Sequence, residues 1–222
     1  MRLPAYIKAI LLALGLVSLV FSYHEPLSVN DGSRFATVDS LIHRHTFRID
    51  DSPYRNQIDT VFFKGNYFSD KPPLLAAYSA AIYTALQAIL PLNLWIKPFP
   101  HYLSILTSVG ISWIVLCFLM VYAYESIGIK NASVVGPAVA GTLFGTLILS
   151  YATVYHSHVI EAMLVFGVFY LIIRYRLKRF KDSSIYAGLL SGVLIMLNPL
   201  TIIYSFGTAI FFLTESLRAF AK

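Results

Sequence analysis

Six aspartates, Asp31, Asp39, Asp50, Asp51, Asp59 and Asp70, share residues 24–71 with Arg34, Arg44, Arg48, Arg55, Lys64 and Lys71, and this segment is the first candidate for chemistry. Asn30 or Asp31 is placed to cap a helix over 31–45, where Phe35, Val38, Leu41 and Ile42 recur at three- and four-residue spacing. Such a helix would lie along the membrane with its apolar face down and the Asp31 carboxylate free to contact a ligand. Asp31 is then either only a cap or a proton acceptor near a lipid surface. Lys71 stands in Tyr67-Phe68-Ser69-Asp70-Lys71-Pro72-Pro73-Leu74-Leu75, where a polar loop enters an apolar helix that Pro73 can start. Its ammonium either holds a lipid phosphate or snorkels toward headgroups. His156 and His158 lie beside Tyr151 and Tyr155, but a His-x-His pair needs further donors for a metal, and none follows at a recognised spacing. Glu161 lies one helical turn into an apolar run, where an ionised carboxylate is costly unless paired or reached by water.

The elements that must position these residues are membrane helices. The chain has 222 residues, 57% hydrophobic and only 13% charged, against roughly 25% charged residues in a soluble domain. Runs without Asp, Glu, Lys or Arg cover 9–24, 72–96, 98–124, 131–160 and 183–214, and about 20 apolar residues suffice to cross ~30 Å of hydrocarbon. The composition excludes a soluble two-domain enzyme. The net charge of +6 is read as membrane orientation rather than nucleic-acid binding, because the basic residues flank the apolar runs. Cys117, the single cysteine, excludes an intrachain disulfide and a cysteine metal cluster.

Charge also sets the topology. Arg2 and Lys8 precede a first span within 1–23, which lacks a small-x-small cleavage site and is expected to stay attached with its N-terminus cytoplasmic. Arg174, Arg176, Lys178, Arg179 and Lys181 put a second loop in the cytoplasm. Residues 24–97 then form an outer loop, His156 and His158 lie outside, and one apolar run between Lys71 and His156 does not cross. The best candidate is 72–96, bracketed by Pro72–Pro73 and Pro91. Spans are expected over about 103–124, 134–154 and 159–173, with Glu125 to Ser133 as an inner turn, so the Asn131-Ala-Ser sequon would face the cytoplasm. The run 183–214 should split at Asn198-Pro199 into two spans, which returns Arg218 and Lys222 to the cytoplasm. The expectation is an all-α polytopic membrane protein, residues 1–222 forming a single membrane domain, with about six transmembrane helices in 1–23 and 98–222 and juxtamembrane helices in 24–97.

At these residues the sequence resembles the GT-C superfamily of polyprenyl-phosphate-sugar-dependent glycosyltransferases, which includes protein O-mannosyltransferases and lipid A aminoarabinose transferases. Asn30 to Val38, followed by Thr46-Phe47-Arg48-Ile49-Asp50, resembles the family's first outer loop. Tyr67 to Leu75 resembles its Tyr-Ser-Asp-Lys-Pro-Pro-Leu element, and Tyr151 to His158 resembles an outer-loop segment that ends in Asn-His in many relatives. The resemblance spans about residues 5–215, the family's N-terminal module. It implies inverting sugar transfer from a polyprenyl-phosphate donor at the outer face of a bacterial inner membrane, with Asp31 as general base and Lys71 with Arg34 on the donor phosphate. Asp70, His156, His158 and Glu161 are candidate substrate contacts. No nucleic acid or cofactor is implied, a divalent metal stays open, and the expected partners are the lipid-linked sugar, membrane lipids and a second membrane chain completing the acceptor site. This chain departs from the family in having His156 and His158 where relatives carry Asp, and Asn198-Pro199 where many carry Lys. The alternative is a non-catalytic subunit or lipid-linked-sugar flippase.

Overall fold

The computed structural model describes residues 4–23, 28–55, 59–90, 99–178, 180 and 182–220. Arg2, Pro91, Arg179, Lys181 and Lys222, which entered the topology argument, lie outside the described residues.

The molecule is mostly helical. Among the described residues, three helical runs, Phe99–Ser126, His158–Arg176 and Pro199–Arg218, are long and apolar enough to cross a membrane, and four shorter apolar helices accompany them. In chain order the elements begin with α1 (Ala5–Phe21) and α2 (Val29–Arg44). A hairpin of β1 (Thr60–Phe63) and β2 (Asn66–Ser69) leads into α3 (Leu74–Ile89). Next, α4 (Phe99–Ser104), a π turn (Ile105–Gly110) and α5 (Ile111–Ser126) run on as one helix. The last elements are α6 (Ala132–Phe144), α7 (Leu147–Tyr151), α8 (His158–Arg176), α9 (Ser183–Leu197), a 3-10 turn (Pro199–Thr201) and α10 (Ile202–Phe220).

The hairpin corrects the all-α expectation. Val61, Phe62, Phe63, Tyr67 and Phe68 favour an extended pleat, and Gly65, at φ 81°, takes the left-handed conformation that the turn after Lys64 requires. The strands pair antiparallel from Thr60 opposite Ser69 to Phe63 opposite Asn66. Helix α2 is capped one turn earlier than expected: the Asp31 amide donates to Ser28 Oγ at 3.2 Å, so Ser28, rather than Asn30 or Asp31, is the cap. Nor does α2 lie with one face open, because every residue from Asp31 to Ser40 is buried. Within it Asp39 pairs with Arg44, and with His43 at 3.1 Å.

The expected single span 134–154 is broken. Helix α6 has 13 residues, only about 20 Å of rise, and stops at Gly145, where any Cβ would lie 2.6 Å from the Gly141 carbonyl oxygen. Thr146 then caps α7 by accepting from the Ile148 amide at 3.2 Å. The break at Asn198-Pro199 falls where proline predicts it: Asn198 Oδ1 accepts from the Leu200 amide at 3.1 Å and starts the 3-10 turn.

In the long helix, Ser104 and Ser112 hydroxyls donate to carbonyls four residues back at 2.9 and 2.8 Å, a competition with the backbone ladder that accompanies bending. The buried column Ile105, Val109, Trp113, Cys117 and Val121 runs through the π turn into the core. Helix α8 packs against α5 on one side and α9 on the other. Two short side-chain contacts tie α4 to the end of α1: His101 Nδ1 lies 3.0 Å from the Tyr23 carbonyl, and the Tyr102 hydroxyl donates to the Leu19 carbonyl at 2.6 Å.

Candidate functional site

Four separate pieces of chain meet at one locus. Helix α2 brings Asp31 and Arg34, the base of the hairpin brings Asp59 on entry and Asp70 and Lys71 on exit, the segment between α7 and α8 brings Tyr155, His156 and Ser157, and the first turn of α8 brings His158 and Glu161. Arg34 is the centre. Its side chain is only 5% exposed, and Nη2 donates to Ser157 Oγ at 3.3 Å. Burial lowers the Arg34 pKa from its ordinary value, opposed by Tyr155, Asp31, Glu161 and Asp70, yet a guanidinium stays charged in any protein. Its Nε and Nη1 atoms make no hydrogen bond among the described residues. A buried cation with unused donors at Nε and Nη1 suits an anionic ligand.

Phe35, next to Arg34 and 0% exposed, fixes α2 in place. Its ring meets Tyr54, His101 and Tyr155 edge-to-face, at centroid distances of 4.9, 5.1 and 6.2 Å. The Tyr155 hydroxyl lies 2.7 Å from Ser79 Oγ and 3.1 Å from the Leu75 carbonyl, which joins the His156 segment to α3. Burial pushes the Tyr155 pKa up, so it is a neutral donor.

Lys71 Nζ lies between two carboxylates, 2.9 Å from Asp70 Oδ2 and 3.0 Å from Asp59 Oδ2. Desolvation acts to lower its pKa, but the bonds to Asp70 and Asp59 outweigh it and the net shift is upward. Ser33 Oγ, 2.6 Å from both the Asp59 carbonyl oxygen and Ser69 Oγ, pins the hairpin base to α2. Sequence reasoning missed Asp59 as a site residue. The runs of β-formers on either side of Lys64-Gly65 were the available signal, since that hairpin sets Asp59 next to Asp70.

His156 and His158 stack with centroids 4.1 Å apart, and Tyr151 meets His158 at 4.5 Å. Glu161 Oε2 accepts from Asn198 Nδ2 at 3.2 Å and lies 3.6 Å from His158 Nδ1. Asn198 therefore belongs to the locus as well. Glu161 Oε1 and His156 Nδ1 are buried without a hydrogen-bond partner among the described residues, and both are suited to the hydroxyl groups of a ligand. Among the described residues, no group of three or more His, Cys, Asp or Glu side chains is arranged to hold a metal ion.

His156 supplies a pH prediction. Burial, then the electrostatic influence of Arg34 and His158, lowers its pKa from 6.5 to about 3. The native state thus holds a neutral imidazole, while the unfolded chain protonates near 6.5. Stability from this group is complete above pH 6.5 and is lost as pH falls from there toward 3. Thermal unfolding of the purified protein in detergent should show a decline over that window that is shallower in His156→Gln. Parallel curves for the two proteins would show that His156 is not held neutral.

Beside Lys71 opens a cavity of about 590 Å³ lined by Phe47, Pro72, Leu74, Ala77, Ile195 and Met196. A second cavity, of about 320 Å³, shares Leu74 and Met196 and continues past Tyr78, Ile111 and Ile160. The two trace an apolar path from the ammonium of Lys71 into the space between α3, α5, α8 and α9.

Fold and site together define a helical protein with membrane-length helices and a buried cationic centre beside an apolar groove. No family model, curated protein or solved structure matches this chain.

Proposed function

We propose that this chain is a GT-C-type membrane glycosyltransferase that moves a sugar from a polyprenyl-phosphate donor to an acceptor at the outer membrane face. The observation that carries the reading is the pairing of a buried guanidinium, Arg34, whose Nε and Nη1 are unused, with Lys71 at the mouth of an apolar cavity. A phosphate on a long hydrocarbon chain combines the two properties that this arrangement suits.

In the proposed reaction the acceptor hydroxyl or amine attacks the anomeric carbon from the face opposite the phosphate. The new bond forms as the bond from that carbon to the phosphate oxygen breaks, which inverts the configuration. Asp31 takes the acceptor proton, and Arg34 and Lys71 stabilise the charge left on the polyprenyl phosphate. Asp70 holds Lys71, and His156, His158 and Glu161 receive sugar or acceptor hydroxyls.

The proposed topology has six crossings, by α1, α4–α5, α6–α7, α8, α9 and α10, with α3 at the outer face and the N-terminus cytoplasmic. Contacts at the basic end support it. Arg176 near the end of α8 and Arg218 near the end of α10 share Glu215, at 3.2 and 2.9 Å, as two helices finishing on the same side would. The catalytic face is then periplasmic in a bacterial inner membrane, and a second membrane chain completes the acceptor site.

Lys71 provides the test. Lys71→Ala should weaken polyprenyl-phosphate binding by about tenfold, the order expected for one hydrogen bond to a charged group. Lys71→Arg should retain part of the affinity, because charge survives while geometry changes. Equal affinity in wild type and Lys71→Ala, read by lipid titration in detergent, would overturn the donor assignment. The alternative, a non-catalytic lipid-linked-sugar binding or flippase subunit, draws on the burial of Asp31, which is 2% exposed. That reading keeps the Lys71 effect on binding and has no transfer to lose.

A further inference from the structure

The β1–β2 hairpin has a composition that its place in the fold does not explain. A two-stranded hairpin standing in water alternates apolar and polar residues, one face packed and the other wet. Here the register sets Val61 and Phe63 on one face with Phe68, and Phe62 on the other with Tyr67, so both faces are apolar near the tip. Phe62 is 63% and Phe63 57% exposed. Within the protein, the Phe62 ring touches Tyr67 with a 4.9 Å centroid separation. The tip itself carries a cation, Lys64, whose Nζ lies 5.1 Å from the Phe63 ring centroid. Arg48 flanks the second strand through its bond to Asn66 Oδ1 at 3.3 Å.

We propose that this hairpin is a membrane-interface anchor: Phe62 and Phe63 rest in the headgroup layer of the bilayer, with Lys64 and Arg48 on lipid phosphates. Three observations select a lipid surface over a protein partner. The hairpin runs from Ser69 through Pro72–Pro73 directly into apolar α3, so its tip is tethered beside the membrane-facing part of the chain. Phe47, at its flank, lines the apolar cavity next to Lys71 and is itself exposed, which makes the aromatic surface continuous with the proposed lipid groove. The charges nearest the tip, Lys64 and the Arg48 side chain that reaches Asn66, are basic and complementary to anionic headgroups, while the Asp50 carboxylate behind them is taken up by the Tyr67 amide. The depth is also bounded. Tyr67 on the outer edge of β2 is satisfied by the Ile49 amide and the Asp50 carboxylate, but β1 has no second strand beside it among the described residues, and its outer edge groups need water or headgroups for hydrogen bonding, so the backbone stays out of the hydrocarbon while the rings dip toward it. Such an anchor fixes the height of Asp59, Asp70 and Lys71 above the bilayer, and it stands whether or not the chain transfers sugar.

The test places an environment-sensitive NBD label at Phe62→Cys and at Phe63→Cys in a Cys117→Ser background. Native Cys117 is buried, so the wild-type background serves equally if that substitution lowers yield. The proteins are reconstituted in nanodiscs of phosphatidylcholine and phosphatidylglycerol, with and without lipid spin-labelled near the headgroup, and Asp51→Cys on the exposed part of the same loop is the aqueous control. The expected result is emission shifted to shorter wavelength at both hairpin positions, with loss of intensity when spin-labelled lipid is present, and neither effect at Asp51→Cys. Water-like, unquenched emission at the hairpin would overturn the anchor. Emission shifted to shorter wavelength but untouched by spin-labelled lipid would also overturn it, and would place the tip against a second copy or another protein.

Discussion

Asp31→Asn is expected to lower sugar transfer by about 10²-fold or more with polyprenyl-phosphate binding largely intact, if Asp31 is the proton acceptor. The substitution is a clean one in this fold. The helix cap is Ser28 Oγ, which receives the residue-31 amide whatever the side chain, so α2 keeps its start. Asn also matches Asp in volume at a position only 2% exposed. What disappears is the basic oxygen and the negative charge beside Arg34. Transfer is measured in membranes containing the wild-type or variant protein with its acceptor-side chain, and unfolding midpoints of the purified proteins report on the fold. Near-normal transfer by Asp31→Asn would remove Asp31 from the mechanism and leave the alternative, lipid-binding reading. A matching fall in transfer and donor affinity would assign Asp31 to binding rather than proton transfer.

Phe35→Ala should destabilise the protein by about 3–5 kcal/mol, the range for truncating a fully buried phenylalanine. The ring touches aromatic partners from three other parts of the chain: Tyr54 between α2 and β1, His101 in α4 and Tyr155 before α8. Its removal leaves a void at the point where α2 is held against the rest of the bundle. A smaller penalty, about 1–2 kcal/mol, is expected for Phe35→Leu, which keeps most of the volume. Thermal unfolding in a fixed detergent, together with the polyprenyl-phosphate affinity of each variant, reads both effects. Because Arg34 is the next residue, lost packing should also loosen the Arg34–Ser157 contact and weaken anion binding. An unchanged unfolding midpoint for Phe35→Ala would mean that the cluster does not hold α2.

How much of this was legible beforehand follows from which interactions are local. The break at Asn198-Pro199, the turn near Glu125 to Ser133 and the helix beginning after Pro72–Pro73 depend on residues adjacent in sequence, and proline and charge mark them directly. The end of α6 at Gly145 does not announce itself in hydropathy, because the run 131–160 is apolar throughout; the cause is a backbone approach that only glycine permits. Asp31 could be chosen from its place at the start of a helix, and Arg34 only from the family resemblance. Their burial could not, because Ser157, which bonds Arg34, and the rings of Tyr54, His101 and Tyr155, which enclose the neighbouring Phe35, reach α2 from distant positions. The Lys71–Asp59 pair required the hairpin, and a hydropathy reading tuned to membrane helices passes over two four-residue strands.

The π turn at Ile105–Gly110 has a consequence for angular phase. In a regular α-helix four residues rotate by about 400°, so a column repeating every four positions, as Ile105, Val109, Trp113, Cys117 and Val121 do, drifts by about 40° at each step. Over the length of the column that drift would carry its far end away from the neighbour it started against. A π turn holds an additional residue and rotates less per residue, so the column loses part of that drift at its start and stays aligned along the core. Deleting one residue within it would restore ordinary α geometry and leave the phase of Trp113, Cys117 and Val121 against α8 nearly unchanged, because the six residues of the π turn sweep about the same angle as five residues of α-helix.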